Sequence, residues 1–303
     1  MFFNNLVVYR FKSEDAHNYN KEKLEEALSE CVFRHTTEQE ISTMGWAKPF
    51  GKHGDSLVEF TGDYALLCVK QENKILPASV VNEMVAEKVE AIELEDGRVV
   101  RKREKDDIKE NILMTILPQA FKKTSLLYGF IDMAKGYLII NSGSFGSAEE
   151  FAALLRKSIG TLPIVPAFAN IDLDVHLTSW LANGELPQGF AIGSNAELEE
   201  PDDTNAQVKL KGHDLTCEEV LAHLESGKRV TKLALNWRSR IGFTLSNDGS
   251  IKQLGFCETI KEENADIPKE DMKVKLEADL LLGASELSQF LSELLAIGDS
   301  NDA

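Results

Sequence analysis

The stretch from Gly227 to Phe256, GKRVTKLALNWRSRIGFTLSNDGSIKQLGF, constrains the fold more than any other part of the chain. Alternate residues of a strand point to opposite faces. Read as antiparallel strands, the stretch puts Lys228, Lys232, Asn236, Arg238 and Arg240 on one face and Leu233, Leu235 and Trp237 on the other. A hairpin follows from Arg240 to Leu245, turns at Asn247-Asp248-Gly249 and returns from Ser250 to Phe256, the Asp-Gly pair suiting a tight turn. Its inner face holds Ile241, Phe243, Leu245, Leu254 and Phe256. Between Lys228 and Lys252 there are six Lys or Arg against one acid, Asp248, in a chain whose net charge is -17. Lysines on a strand also discourage edge-to-edge pairing, and an exposed sheet face is often simply polar. A surface kept merely soluble mixes both signs, however, so the lack of acids points to an anion-binding face.

The rest of the composition sets limits. With 303 residues, 43% of them hydrophobic, the chain is globular and long enough for two or three lobes. Its acidity opposes coating of nucleic acid through overall charge, so any contact with phosphate must come from local clustering. Cys31, Cys68, Cys217 and Cys257 lie far apart with no C-x-x-C pair, which suits reduced thiols and implies neither disulfide nor metal site. The run MFFNNLVVYRF lacks a basic leader, and no segment reaches about 18 uninterrupted apolar residues. The expectation is a cytoplasmic protein with no cofactor and no membrane span.

In order, Phe2 to Phe11 reads as a buried strand and Asn20 to Val32 as a helix. Met44 to Asp55 reads as an ordered glycine and aromatic loop, in which His53 and Asp55 lack a third catalytic partner. Strands are expected over Ser56 to Phe60 and Tyr64 to Gln71. From Pro77 the period becomes helical, with Val80, Val81, Met84, Val85, Val89 and Ile92 on one stripe. A second helix, from Asp106 to Leu117, uses Ile108, Ile112, Leu113, Ile116 and Leu117, and Pro118 stops it. Gly97 links the two into a projecting arm. Between Arg98 and Lys123 the arm carries eight Lys or Arg and four acids, which a solvated helix surface also explains. Phe121, beyond the proline and before Lys122 and Lys123, is either a partner anchor or core.

Tyr128 to Asn141 reads as a hairpin. A helix is expected from Ala148 to Ile159, with Ser147 and Glu150 as a capping box. The preceding Gly143 and Gly146 match no complete phosphate loop. Leu162 to Pro166 is extended, a short helix starts at Thr178-Ser179-Trp180-Leu181, and Gln188-Gly189-Phe190 opens a strand. Glu197 to Asp203, ELEEPDD, reads as a flexible acidic loop, Thr216 to Glu219 as a second capping box, and Ser285 as the start of the last helix. The fold class is therefore mixed α/β of the α+β kind, with antiparallel sheets and a helical arm. Its lobes are expected at 1–76 with 125–195, 77–124 and 196–303. No H-E-x-x-H, G-x-S-x-G or metal-like histidine spacing is present, which favours a binding protein over an enzyme.

The residues also resemble the RdgC family of recombination-associated DNA-binding proteins. The resemblance runs in order through Phe3 to Arg10, Met44-Gly45-Trp46, Lys74 to Pro77, Leu117 to Phe121, Leu154 to Gly160, Leu162 to Pro166, Gln188 to Phe190, Asp214 to Thr216 and Thr231 to Trp237. It covers nearly the whole chain. It implies a horseshoe-shaped subunit and a ring-shaped homodimer around double-stranded DNA, with single strands as a further partner. Such proteins bind with little sequence preference and restrain the RecA recombinase, which implies association with the nucleoid. The resemblance places Phe121 at the contact between subunit tips, and Lys228 and Lys232 among the inward-facing basic positions. Gln119 and Gly212-His213 depart from the family pattern, which is more basic there. With the basic face and arm, the expected DNA contacts are Lys228, Arg229, Lys232, Arg238, Arg240, Arg98, Arg101, Lys122 and Lys123. Two other classes stay open: a scaffold whose basic sheet meets an acidic protein, and a nucleotide-handling enzyme using Gly143 to Ser147 or His53.

Overall fold

Asn20 accepts hydrogen bonds from the amides of Glu22 and Lys23 and so caps α1 (Lys21–Ser29). The computed structural model describes residues 2–13, 19–201, 206–264, 266–268 and 271–297. The chain forms two units, one of residues 1–30, 48–68 and 127–303, the other of 31–47 and 69–126.

The larger unit contains two groups of antiparallel strands. In the first, β1 (Val7–Phe11) lies between β6 (Tyr137–Ile140) and β7 (Ile164–Pro166), and β6 pairs with the end of β5 (Phe121–Asp132). There β3 (Val58–Thr61) pairs with the start of β4 (Tyr64–Ile75), from Val58 opposite Leu67 to Thr61 opposite Tyr64. The second is a five-stranded sheet in the order β12 (Ile251–Phe256), β11 (Ile241–Ser246), β10 (Arg229–Trp237), β8 (Phe190–Glu199), β9 (Gln207–Leu210). Reciprocal hydrogen bonds between Leu6 and Ile251 join the two groups.

Helices α4 (Phe145–Ile159), α5 (Leu173–Asn183), α6 (Glu218–Glu225), α7 (Glu258–Glu262) and α8 (Met272–Leu295) complete this unit. The anticipated inner face is found: Leu233, Leu235, Trp237, Ile241, Phe243, Leu245, Leu254 and Phe256 are all buried. They close on α8, whose Phe290 lies 4.7 Å from the Phe243 ring and 5.8 Å from Trp237. The Asn247-Asp248-Gly249 turn also forms, with Gly249 at φ +82°, a conformation open to glycine at little cost.

The smaller unit places β2 (Ser42–Ala47), the second half of β4 and the first half of β5 side by side, with the helix hairpin α2 (Ala78–Asp96) and α3 (Lys102–Ile116). Gly97, left-handed at φ +64°, ends α2. Ile108, Ile112, Leu113 and Ile116 are only half-buried, and no residue of α3 is fully buried.

Several expectations are corrected. Met44 to Ala47 is strand rather than loop. Gly45 lies against the Phe33 backbone, where an added Cβ would sit 2.5 Å from Phe33 Cα, so glycine is selected by close approach and not by a turn. Ser144, not Ser147, precedes α4. Neither expected capping box forms, since the Thr216 hydroxyl donates to Asp214 and Cys217 occupies the cap position. Helices α3, α5 and α8 begin earlier than expected, at Lys102, Leu173 and Met272: α3 opens on a polar turn that adds nothing to its stripe, whereas α5 adds buried Leu173 and α8 adds buried Leu280 and Ala284. Glu197 to Glu199 belong to β8, and Asp202 and Asp203 lie outside the described residues.

Candidate nucleic-acid interface

A β-bulge decides which cations of the central strand share a face. In β10, Val230 pairs with Leu198 and Lys232 with Glu197, so Thr231 is one residue in excess on that strand. The buried positions accordingly run Val230, Leu233, Leu235, Trp237, with a step of three across the bulge. A single inserted residue exchanges the faces. Lys232 stands on the side away from α8, whereas Lys228, just ahead of the strand, keeps the parity of buried Val230. The Lys228 ammonium is 2.8 Å from Glu200, and its side chain is 13% exposed. The expected common face of Lys228 and Lys232 is thus divided by the bulge.

The two arginines leave the strand altogether. Arg238 and Ser239 form the β10–β11 turn with φ of +49° and +56°, closed by the Arg240 amide on the Trp237 carbonyl. Positive φ is uncommon for such residues, and the surroundings hold this one in place. The Arg238 guanidinium lies 2.8 Å from Glu293 and 5.4 Å from the Trp237 ring, whose Nε1 donates to the same Glu293. Arg240 pairs with Glu286, which pushes the guanidinium pKa up further, and Arg229 pairs with Asp174 at 3.2 Å. Each of these cations already has a carboxylate.

What the sheet gathers instead is a lysine cleft of about 290 Å³ that spans all five strands. Among the described residues, its charged lining is Lys209, Lys211, Lys232 and Lys252 against the single acid Glu197. Glu197 sits directly opposite both Lys232 and Lys209 in the ladder, 2.6 Å from one ammonium and 3.8 Å from the other. The Lys232 hydrogen bond, joined by the fields of Lys209 and Lys211, holds the Glu197 carboxyl below its ordinary range. Asn195, Thr244 and Gln253 add neutral hydrogen-bonding groups to the lining. Four ammonium groups around one carboxylate leave a local excess of positive charge in an acidic chain. The cleft is therefore suited to a polyanion that can touch several lysines at once.

Lys209 and Lys211 were not singled out from the sequence. Their signal is the alternation in Gln-Val-Lys-Leu-Lys, but they stand next to the acidic ELEEPDD run and only strand pairing carries them beside Lys232.

In the smaller unit, Phe121 is 84% exposed at the start of β5. Lys122 points the other way in its contacts: its ammonium donates to the Thr36 carbonyl at 3.0 Å and lies 3.2 Å from Glu72. Glu72 is buried, accepts from the Thr36 hydroxyl and amide, and meets His35 Nδ1 at 2.7 Å. These bonds, the Thr36 hydroxyl first and His35 second, hold its carboxyl well below the usual range. Arg98 is bound by Glu104 and Asp96, whereas Arg101 and Lys123 are exposed with no ion pair among the described residues. His53 and Asp55 are both exposed, and Asp55 faces Lys48 at 3.9 Å. No helix among the described residues is long and apolar enough to cross a membrane.

Comparison with known proteins gives this surface a context. The chain is 60% identical over 303 residues to the recombination-associated protein RdgC of Pseudoalteromonas translucida, covering 100% of this chain and 99% of that one. It is 43% identical to the RdgC protein of Aeromonas hydrophila, over 98% of this chain and 97% of the relative. The corresponding figures for Proteus mirabilis RdgC are 37% identity and 98% of both chains. The family model described as "Putative exonuclease, RdgC" matches residues 1–299. Similarity on that scale extends through both units and every strand of the lysine-bearing sheet, and the chain belongs to the RdgC family of recombination-associated proteins.

Proposed function

We propose that this protein binds DNA through the lysine cleft, without reading base sequence. The observation that carries the reading is the grouping of Lys209, Lys211, Lys232 and Lys252 around one carboxylate, in a chain of net charge -17. Lysine ammoniums are mobile point charges that match phosphates at varied spacing, and contacts of that kind position a protein without carrying sequence information. The acidic remainder of the chain disfavours DNA elsewhere, so the cleft concentrates the attraction.

On this reading Lys232 makes the strongest single contribution among the residues named from the sequence. Arg101 and Lys123 add charge from the arm, while Lys228, Arg229, Arg238, Arg240, Arg98 and Lys122 contribute less because each is held by a carboxylate and does not line the cleft, whereas Lys232 shares Glu197 with Lys209 among four lysines. Two copies close around the duplex as a homodimer, with exposed Phe121 as a contact between them. Bound in this way at the nucleoid, the protein limits the access of RecA to DNA by occupying the substrate.

The test is Lys209→Glu combined with Lys232→Glu, measured by duplex binding across a salt series. At about 0.9 per neutralised phosphate, four lysines give a log–log slope of about -4 per chain, or about -7 for two copies. The double variant is expected to lose affinity by orders of magnitude and flatten the slope while retaining its far-UV dichroism. Unchanged affinity in a folded double variant would overturn the assignment. Progressive shortening of an end-labelled duplex by purified protein would instead favour the exonuclease description of the family model.

A further inference from the structure

The loop between β9 and α6 brings together three side chains of a different chemistry. One donor atom each from His213, Cys217 and Glu219 lies within 4.8 Å of the others. His213 Nδ1 is 3.8 Å from Cys217 Sγ. For a tetrahedral zinc ion, with Zn–N of about 2.0 Å and Zn–S of about 2.3 Å, the ligand-to-ligand distance is about 3.6 Å. The pair is therefore already within a few tenths of an ångström of sharing an ion. Glu219 is exposed, so its carboxylate can rotate inward to supply a third donor.

The backbone holds this arrangement. The Gly212 amide donates to Asn195 Oδ1 at 2.9 Å and the His213 amide to the Ser194 carbonyl at 2.9 Å. Asp214 Oδ1 accepts from both the amide and the hydroxyl of Thr216, tightening the turn that delivers Cys217 to the start of α6. His213 Nδ1 also meets the Asp214 carbonyl at 3.1 Å, a contact that gives way when the nitrogen turns its lone pair to an ion.

We propose that His213, Cys217 and Glu219 form a zinc site with three protein ligands and one open position for water. A thiolate with an imidazole selects zinc over magnesium or calcium, which take oxygen ligands. On binding, the Cys217 thiol releases its proton to solvent and a Zn–S bond replaces the S–H bond. The cysteine spacing in the sequence implies no metal site, because the two ligands besides the cysteine are a histidine and a carboxylate whose proximity depends on this loop. The site stands independently of the DNA reading, although Asn195 belongs to both the loop's support and the cleft lining.

The experiment is titration of the full chain with cobalt(II), followed by competition with zinc(II). Wild-type protein is expected to bind one ion per chain with a thiolate-to-cobalt charge-transfer band that zinc abolishes. Cys217→Ser removes the band and Cys257→Ser keeps it. His213→Ala and Glu219→Gln each weaken zinc affinity by more than the roughly 10–100-fold that loss of a supporting partner costs. Absence of the band in wild type, its survival in Cys217→Ser or its loss in Cys257→Ser would overturn the site. Unaltered zinc affinity in either His213→Ala or Glu219→Gln would remove that residue from the ligand set and end the three-ligand proposal.

Discussion

Glu197 shows how one residue can set the strength of a charged surface. Its carboxylate lies between Lys232 and Lys209 and competes with any phosphate for both. Glu197→Gln is therefore expected to tighten duplex binding by removing the competing anion, measured by fluorescence anisotropy at several ionic strengths. Lys228→Glu makes a useful contrast, because that side chain is 13% exposed, is paired with Glu200 and does not line the cleft, whereas Lys232 is 37% exposed and lines it. Loss of Lys228 is therefore expected to weaken binding less than Lys232→Glu. Glu72 acts on stability instead. A carboxyl held below its ordinary range stabilises the fold above its unfolded pKa and loses that contribution as pH falls through the folded value. Glu72→Gln is expected to lower stability at neutral pH, with the difference from wild type shrinking below about pH 4, as read by urea denaturation across pH. Lys232 was legible as a basic-face candidate from its neighbours in sequence, while Phe121 read equally as partner anchor or core until the structure exposed it. The engagement of Lys122 with Thr36 and Glu72 was not legible, because both partners lie far back in the chain and only strand pairing brings them near.

At the scale of elements, the sheet's apolar face was readable because the alternation of Leu233, Leu235 and Trp237, and of Ile241, Phe243 and Leu245, is strict. The bulge at Thr231 was not, since nothing in Arg-Val-Thr-Lys-Leu marks an extra residue until the partner strand fixes the register. The two capping boxes failed because the structure puts other residues at the caps, Ser144 ahead of α4 and Cys217 ahead of α6, and the Thr216 hydroxyl donates to Asp214 instead of accepting from a helix amide. Two substitutions test the packing of the elements. Phe290→Ala on α8 removes a fully buried ring that touches Phe190, Trp237 and Phe243, and is expected to cost about 3–5 kcal/mol in chemical denaturation. Gly45→Ala forces a methyl against the Phe33 backbone, which cannot rotate away, and is expected to cost about 3 kcal/mol or more, the upper end for overpacking.

For the whole molecule, acidity and clustering act together. The net charge of -17 limits non-specific adhesion, and the lysine cleft supplies attraction in one place. Phe121→Ser is expected to shift the solution mass from dimer toward monomer by light scattering and to speed release from circular duplex, since an 84% exposed phenyl ring is the part a partner surface would cover. The sequence by itself determined the mixed α/β class with antiparallel sheets, the apolar lining of the five-stranded sheet and the α2–α3 helix hairpin, because these follow from local period and turn chemistry. Only the tertiary structure decided which cations are free and which are held by carboxylates, and which distant lysines meet. Charge pairing depends on register and on contacts between segments far apart in the chain, and a bulge of one residue is enough to send a side chain to the opposite face.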